Sequence, residues 1–281
     1  MAICRSTQCN YLFFSDGCIS TKNEYYGGTN HTSNGISVGT SINNIPLFDN
    51  DFKFITIEKE RKTISNLDYD IYTLYLKEAV EQVGKFLKPG DCVVVESTVY
   101  PGCTEEFCAP ILEKISGLKL GEDFAMGYSP ERINPGDTVH HIGAVVKLVA
   151  ATDPDTLDFL TQLYQYVTEA GVHACEGIRV AEAAKLTENI QRDVNIALLN
   201  ELSAVYEKLG IHPGHVWEAA ATKWNFLPFR PGLAGGHCIS VDPYYLLNSI
   251  KQIGGKAFIV EEARRVNEGM VDRVASQVIQ H

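Results

Sequence analysis

Cys92-Val93-Val94-Val95-Glu96-Ser97-Thr98-Val99-Tyr100-Pro101-Gly102 joins an unbroken apolar run to a polar loop closed by a proline-glycine pair. Continuous β-branched residues without polar alternation mark a strand buried on both faces. Beyond the proline-glycine pair, residues 104–115 have helical spacing. Upstream, residues 71–87 predict a helix ended by Lys88-Pro89-Gly90, preceded by a short β-like run at 52–57. Downstream, strands are predicted at 124–128, 145–150 and 172–174, with a helix at 156–166 capped by Asp153-Pro154-Asp155. Strands alternating with helices imply an α/β fold, with a mainly parallel sheet covered on both faces.

After Gly177 the period changes. Ile178, Ala181, Ala184, Ile190, Val194, Ala197, Leu198, Leu202, Val205 and Leu209 fall on one stripe of a long amphipathic helix that stops at Gly210. Such a helix can link domains or pair with a copy of itself. Shorter helices are predicted at 215–221, 243–253 and 259–279. Residues 20–44 are rich in Gly, Ser, Thr and Asn, which predicts a loop or disordered segment, and the first fifty residues are poorly specified.

With 281 residues, 45% of them hydrophobic, the chain can bury a sizeable core and is expected to hold two domains. A formal net charge of −11 argues against nucleic acid or an anionic membrane as the main partner, since phosphate binding needs concentrated positive charge. No apolar stretch reaches membrane-spanning length and no leader pattern opens the chain, so a cytoplasmic protein is expected. The eight cysteines form no CxxC pair and are expected to be reduced. His212 with His215 and Cys103 with Cys108 lack the second half of a metal site, and no metal is expected.

Chemistry concentrates in three places. Phe229-Arg230-Pro231-Gly232-Leu233-Ala234-Gly235-Gly236-His237-Cys238-Ile239-Ser240-Val241-Asp242 sets a cysteine behind a glycine pair and four residues before an aspartate. It reads as a nucleophile in a loop, where glycines leave main-chain donors open to a substrate; a small buried hydrophobe in a turn is the alternative. In the long helix, Lys185, Asn189 and Arg192 share a face. Exposed, they form a solvated stripe; lining a cleft, an ammonium and an amide can hold a water or a developing oxyanion. The loops Glu96-Ser97-Thr98-Val99-Tyr100-Pro101-Gly102 and Tyr128-Ser129-Pro130-Glu131-Arg132-Ile133 both follow strands, where α/β proteins bind ligands, although turn chemistry alone also favours such residues.

Taken in order with Ala181-Glu182-Ala183-Ala184-Lys185, Glu188-Asn189, Asn200-Glu201-Leu202, Lys223-Trp224-Asn225-Phe226 and Gly235-Gly236-His237-Cys238, these segments resemble the UDP-glucose/GDP-mannose dehydrogenase family, in particular its branch acting on UDP-N-acetylhexosamines. The resemblance implies an incomplete Rossmann-like sheet followed by an all-helical central dimerisation domain. Its domains would be a poorly specified segment 1–50, a partial NAD-binding domain 51–176 and a central helical domain 177–281. It further implies NAD-dependent four-electron oxidation of a sugar C6 alcohol to the carboxylate, for polysaccharide precursors, by a homodimer. Cys238 would form a thiohemiacetal and then a thioester. Lys185 and Asn189 would steady the C6 oxygen and the hydrolytic water, assisted by Asp242 and Thr98, with Glu131 as acid-base partner. Ser97, Thr98 and Glu131 would contact the cofactor. Arg132, Ile133, Arg192, Asn225, Phe226, Arg230 and Gly235 would line the sugar-nucleotide site.

The sequence departs from the family pattern in two places. Gly27, Gly28, Gly35 and Gly39 do not form the GxGxxG turn that cradles a dinucleotide pyrophosphate, and Glu58-Lys59-Glu60 stands where a proline-threonine cofactor loop is expected. The family's C-terminal UDP-binding domain is expected to be missing from these 281 residues. A catalytically inactive remnant or dimerisation module is the competing expectation, and a thiol hydrolase using Cys238 without NAD a third.

Overall fold

The computed structural model describes residues 2–4, 11–15, 18–22, 61–133, 137–235 and 237–280. The predicted run 52–57 and the four glycines at 27, 28, 35 and 39 lie outside the described residues, as does most of the predicted loop 20–44. Its first residues are a correction: 20–22 belong to a strand, β3 (Cys18–Lys22), paired antiparallel with β2 (Tyr11–Ser15). The apolar run Tyr11-Leu12-Phe13-Phe14 supplies a β-forming partner that the polar composition of 20–22 concealed. The chain divides into two compact units, Met1–Lys185 and Leu186–His281.

The first unit is built on a five-stranded sheet in the order β1-β4-β5-β6-β7. Its strands are β1 (Ala2–Cys4), β4 (Cys92–Val95), β5 (Ala125–Tyr128), β6 (Lys147–Ala151) and β7 (Val172–Ala174). β4 pairs parallel with β5, and β6 with β7. The second pair is linked by α3 (Pro154–Gln165), the first by a helical connection ending in α2 (Ala109–Ser116). β5 and β6 run antiparallel, and β1 lies antiparallel to β4. Alternate side chains of β4 enter different cores. Val93 and Val95 pack with Val80 and Val83 of α1 (Arg61–Gly84) and Leu112 of α2, whereas Cys92 and Val94 pack with Leu160 and Tyr164 of α3. A Cβ on Gly127 would stand 2.3 Å from Leu160 Cδ1, so glycine at this β5 position lets α3 lie against the sheet.

The helix predicted at 104–115 is not uniform. Cys103–Cys108 form a π-helical turn, in which Ala109 N–H reaches back five residues to Thr104 O, before α2 begins. Pro110 has no N–H to continue the ordinary ladder to Glu106 O, and the wider turn precedes it.

The second unit contains most of α4 (Ile178–Lys208), with α5 (Pro213–Ala220), α6 (His237–Gln252) and α7 (Phe258–Gln280). α4 ends where Gly210 adopts φ +73°, a left-handed geometry that favours glycine. Trp217 of α5 packs its ring 5.7 Å from that of Tyr206 on α4. The expectation of a loop around Cys238 is corrected: α6 starts at His237, so Cys238 lies in its first turn and Asp242 one turn later on the same helix. Pro243, which suggested a helix start, stands inside α6.

Candidate active site

In the first unit, parallel pairing of β4 with β5 brings both strands' carboxyl ends to one edge of the sheet, so the loops 96–102 and 129–133 are neighbours. Main-chain bonds extend the pairing: Ser129 N–H donates to Val95 O at 3.0 Å and Glu131 N–H to Glu96 O at 3.2 Å. Beneath the loops lies a buried polar cluster. Tyr164 Oη donates to Glu96 Oε1 at 2.6 Å, and Lys147 Nζ donates to Pro130 O at 3.0 Å while standing 5.2 Å from the centre of the Tyr164 ring. Burial pushes the Lys147 ammonium below its ordinary pKa, opposed by the charges of Glu96 and Glu131. Burial, followed by the Glu96 charge, pushes the Tyr164 phenol well up, which keeps it a donor at neutral pH.

Glu131 Oε1 accepts the N–H groups of Arg132 and Ile133 at 2.6 and 2.8 Å, folding the carboxylate onto its own loop, and Arg132 Nη1 donates to Val146 O at 2.7 Å. Ser97 and Thr98 are half-buried at the same edge. Loop 96–102 is fixed from α4: the buried Glu182 carboxylate accepts Gly102 N–H at 2.5 Å, Thr104 N–H at 2.9 Å and Thr104 Oγ1 at 2.7 Å. One turn further along α4, Lys185 is 7% exposed and has no hydrogen-bond or ion-pair partner among the described residues of its unit. Its charge opposes protonation of Lys147. A buried ammonium without a carboxylate can neutralise a thiolate or an oxyanion.

In the second unit, Asn189 Nδ2 donates to Asp242 Oδ2 at 2.5 Å, with both residues buried. Because Lys185 and Asn189 are both buried, their stretch of α4 is not a solvated stripe. A larger network lies beside this pair. Arg264 of α7 ion-pairs with Asp193 at 2.6 Å, Asn267 donates to the same carboxylate at 2.8 Å, and Asn200 donates to Asn267 Oδ1 at 2.8 Å. Asn200 also exchanges two hydrogen bonds with the backbone of Gly232, at 2.8 and 2.9 Å.

The predicted site residues therefore fall into two sets. Ser97, Thr98, Glu131, Arg132, Ile133 and Lys185 belong to the first unit; Asn189, Arg192, Asn225, Phe226, Arg230, Gly235, Cys238 and Asp242 belong to the second. The structure joins Asn189 to Asp242, and Glu131 to the main chain of Arg132 and Ile133. Arg192 is half-buried. Asn225, Arg230 and Gly235 lie exposed, and Phe226 half-buried, in an irregular segment anchored at Gly232. Sequence reasoning gave no role to Lys147, Tyr164, Glu182, Asp193, Asn200, Arg264 or Asn267. A usable signal existed for the α4 members, since Glu182, Lys185, Asn189, Asp193 and Asn200 recur at spacings of three, four, four and seven.

The model of the UDP-glucose/GDP-mannose dehydrogenase family's NAD binding domain matches residues 29–168, and that of its central domain matches residues 179–269. The chain belongs to the UDP-glucose/GDP-mannose dehydrogenase family. Within that family it is 52% identical over 204 residues to a UDP-N-acetyl-D-glucosamine 6-dehydrogenase from Pseudomonas aeruginosa, covering 73% of this chain and 48% of the relative. It is 34% identical over 197 residues to a UDP-N-acetyl-D-mannosamine dehydrogenase from Pyrococcus horikoshii, covering 70% of this chain and 46% of that one. A solved UDP-D-ManNAc dehydrogenase from Pyrococcus horikoshii has a TM-score of 0.67 at 32% identity, covering 73% of this chain and 48% of its own. The chain spans about half the length of the curated relatives it matches. No helix among the described residues is long and apolar enough to cross a membrane.

Proposed function

We propose that this chain carries the catalytic part of an NAD-dependent UDP-N-acetylhexosamine 6-dehydrogenase that makes uronate precursors of polysaccharides in the cytoplasm. The observation that carries the proposal is the buried Asn189–Asp242 hydrogen bond, made between the helix that bears Lys185 and the helix whose first turn holds Cys238. Membership of the family and the 52% identity to a UDP-N-acetyl-D-glucosamine 6-dehydrogenase support the substrate class.

Ser97, Thr98 and Glu131 stand at the carboxyl ends of two parallel strands, the edge where doubly wound sheets take dinucleotides, and their hydroxyls and carboxylate are groups able to hydrogen-bond such a ligand. In this reading they hold NAD+. When bound, the cofactor supplies the hydride acceptor for both oxidation stages, one equivalent for each.

At the first stage the C6 hydroxyl would give its proton to Glu131, the acid-base partner, as the hydride leaves C6 for the acceptor, leaving an aldehyde. Lys185 and Asn189 steady the oxygen as charge develops on it. Cys238 thiolate then adds to the aldehyde carbon, giving a thiohemiacetal, and loss of the remaining C6 hydride turns this into a thioester. Water, held through Thr98 and Asp242 with Glu131 as acid-base partner, cleaves the thioester to the carboxylate and regenerates the thiol. Arg132, Ile133, Arg192, Asn225, Phe226, Arg230 and Gly235 hold the sugar nucleotide.

In this reading residues 1–50 form an N-terminal segment, 51–176 the NAD-binding part and 177–281 the central helical part. The last dimerises through α4, whose Leu198 and Val205 are exposed. The test is covalent trapping. With NAD+ and UDP-N-acetylglucosamine, mass spectrometry of the Cys238 peptide is expected to show an added sugar nucleotide. A persistently unmodified peptide under turnover would refute the thioester route.

A further inference from the structure

Pro243 stands inside α6 and has no N–H, so the carbonyl of Ile239, four residues earlier, loses its helical donor. Arg264 Nη1 donates to that oxygen at 3.2 Å while also donating to Asp193 Oδ1 at 2.6 Å. Arg264 and Asp193 are both buried, and through Asn267 and Asn200 the same network reaches the backbone of Gly232 at the other end of the glycine-rich segment. One guanidinium thus replaces the hydrogen bond that Pro243 removes, in the same turn as Cys238, and ties that turn to α4.

We propose that Arg264 is a positioning residue that sets the first turn of α6, and with it the presentation of Cys238, by satisfying the carbonyl left open by Pro243. A buried ion pair is a poor source of net stability, because desolvation of both charges offsets their attraction; a well-packed apolar pair would stabilise α7 against α4 equally well. What an apolar pair cannot do is donate to Ile239 O. Both bonds leave one guanidinium nitrogen, Nη1, which the rigid planar group holds between the two oxygens; the ammonium of a lysine, on a shorter and more flexible stem, is not fixed at that point. The proposal rests on the reading of Cys238 as the nucleophile, but it concerns the turn and is measurable without any dehydrogenase activity.

The experiment follows the alkylation rate of Cys238 by iodoacetamide as a function of pH, peptide by peptide, with buried Cys92 monitoring opening of the first unit and the near-ultraviolet signal of buried Trp217, which must also stay unchanged, monitoring the second. Arg264→Lys is expected to change the Cys238 rate about tenfold and to displace its pH midpoint, with Cys92 unchanged. Adding Pro243→Ala, which returns an N–H to Ile239 O, is expected to restore the Cys238 rate to within about twofold of the native chain. The double variant Asp193→Asn with Arg264→Gln avoids a stranded buried charge; it should shift Cys238 in the same way as Arg264→Lys. An unchanged Cys238 rate in Arg264→Lys, a parallel rise at Cys92, or failure of Pro243→Ala to rescue would each overturn the proposal. Because neither NAD+ nor sugar is present, a chain that proves inactive as a dehydrogenase still returns one of these answers.

Discussion

Asn189 and Asp242, fifty-three positions apart in sequence, meet through a buried amide-to-carboxylate hydrogen bond of 2.5 Å. Two side chains that sequence reading assigned to one chemistry are thus physically coupled. Asp242→Ala leaves the Asn189 amide buried without its acceptor and is expected to cost about 1–3 kcal/mol of stability. Asp242→Asn keeps an acceptor oxygen but removes the charge. It should retain most of the stability, read by denaturant midpoint, while turnover falls by about 10² or more. Equal stability losses in the two variants would show that the charge, not the acceptor, holds the pair.

Glu182 offers a prediction about the loop that carries Thr98. Its carboxylate takes three donors from Gly102 and Thr104, and Glu182→Gln would turn an N–H group toward one of them. The expected loss is about 1–3 kcal/mol, measured by urea unfolding. Burial raises the Glu182 carboxyl above its ordinary 4.5, with the hydrogen bonds from Thr104 and Gly102 opposing. A raised folded-state pKa gives a contribution fully present below the unfolded value and lost as pH rises through the folded one. The advantage of the native chain over Glu182→Gln should therefore be largest below pH 4.5 and narrow toward neutrality. A widening gap would contradict the assignment.

Tyr164→Phe removes the donor to Glu96 Oε1 beneath the strand-end loops. The buried carboxylate loses a partner, so about 1–3 kcal/mol of destabilisation is expected. The native phenol is held above its ordinary value of 10 by burial and by Glu96, so its contribution is present below pH 10 and lost as pH rises through the folded value. Native stability should accordingly fall more steeply than that of Tyr164→Phe on alkaline titration above pH 10, followed by circular dichroism.

Self-association through α4 gives a fourth prediction. Light scattering at micromolar concentration should return a dimer mass, and Leu198→Glu, on the exposed face of α4, should shift it toward the monomer. A strictly monomeric native chain would remove the dimer from the account.

The α/β alternation was legible because Cys92 to Val95 form an apolar run that only a two-sided core explains, and the observed strand has both faces covered. The extent of α4 was legible in the same way, its period holding until Gly210. Local reading failed where tertiary contacts rule. Pro243 suggested a helix start, yet α6 begins six residues earlier, because Arg264, remote in sequence, supplies the donor that proline lacks. The N-terminal anchoring of the π-helical turn was hidden for a similar reason, since Glu182, on another element, accepts the N–H groups of Gly102 and Thr104. Of the candidate site, residue identities were readable from ordered motifs. The buried partners Lys147, Tyr164 and Arg264 were not, because a lone polar residue in sequence does not reveal whether it faces water or a buried carboxylate.

The stoichiometry of NAD+ reduction by the purified chain with UDP-N-acetylglucosamine, measured beside Cys238→Ala, tests the thioester route most directly. Two NADH are expected per sugar converted to the uronate by the native chain, and no carboxylate product from Cys238→Ala. NADH formation that survives loss of Cys238 with the same carboxylate yield, or a native chain that neither binds NAD+ and the UDP-sugar by calorimetry nor reduces the cofactor, would contradict it.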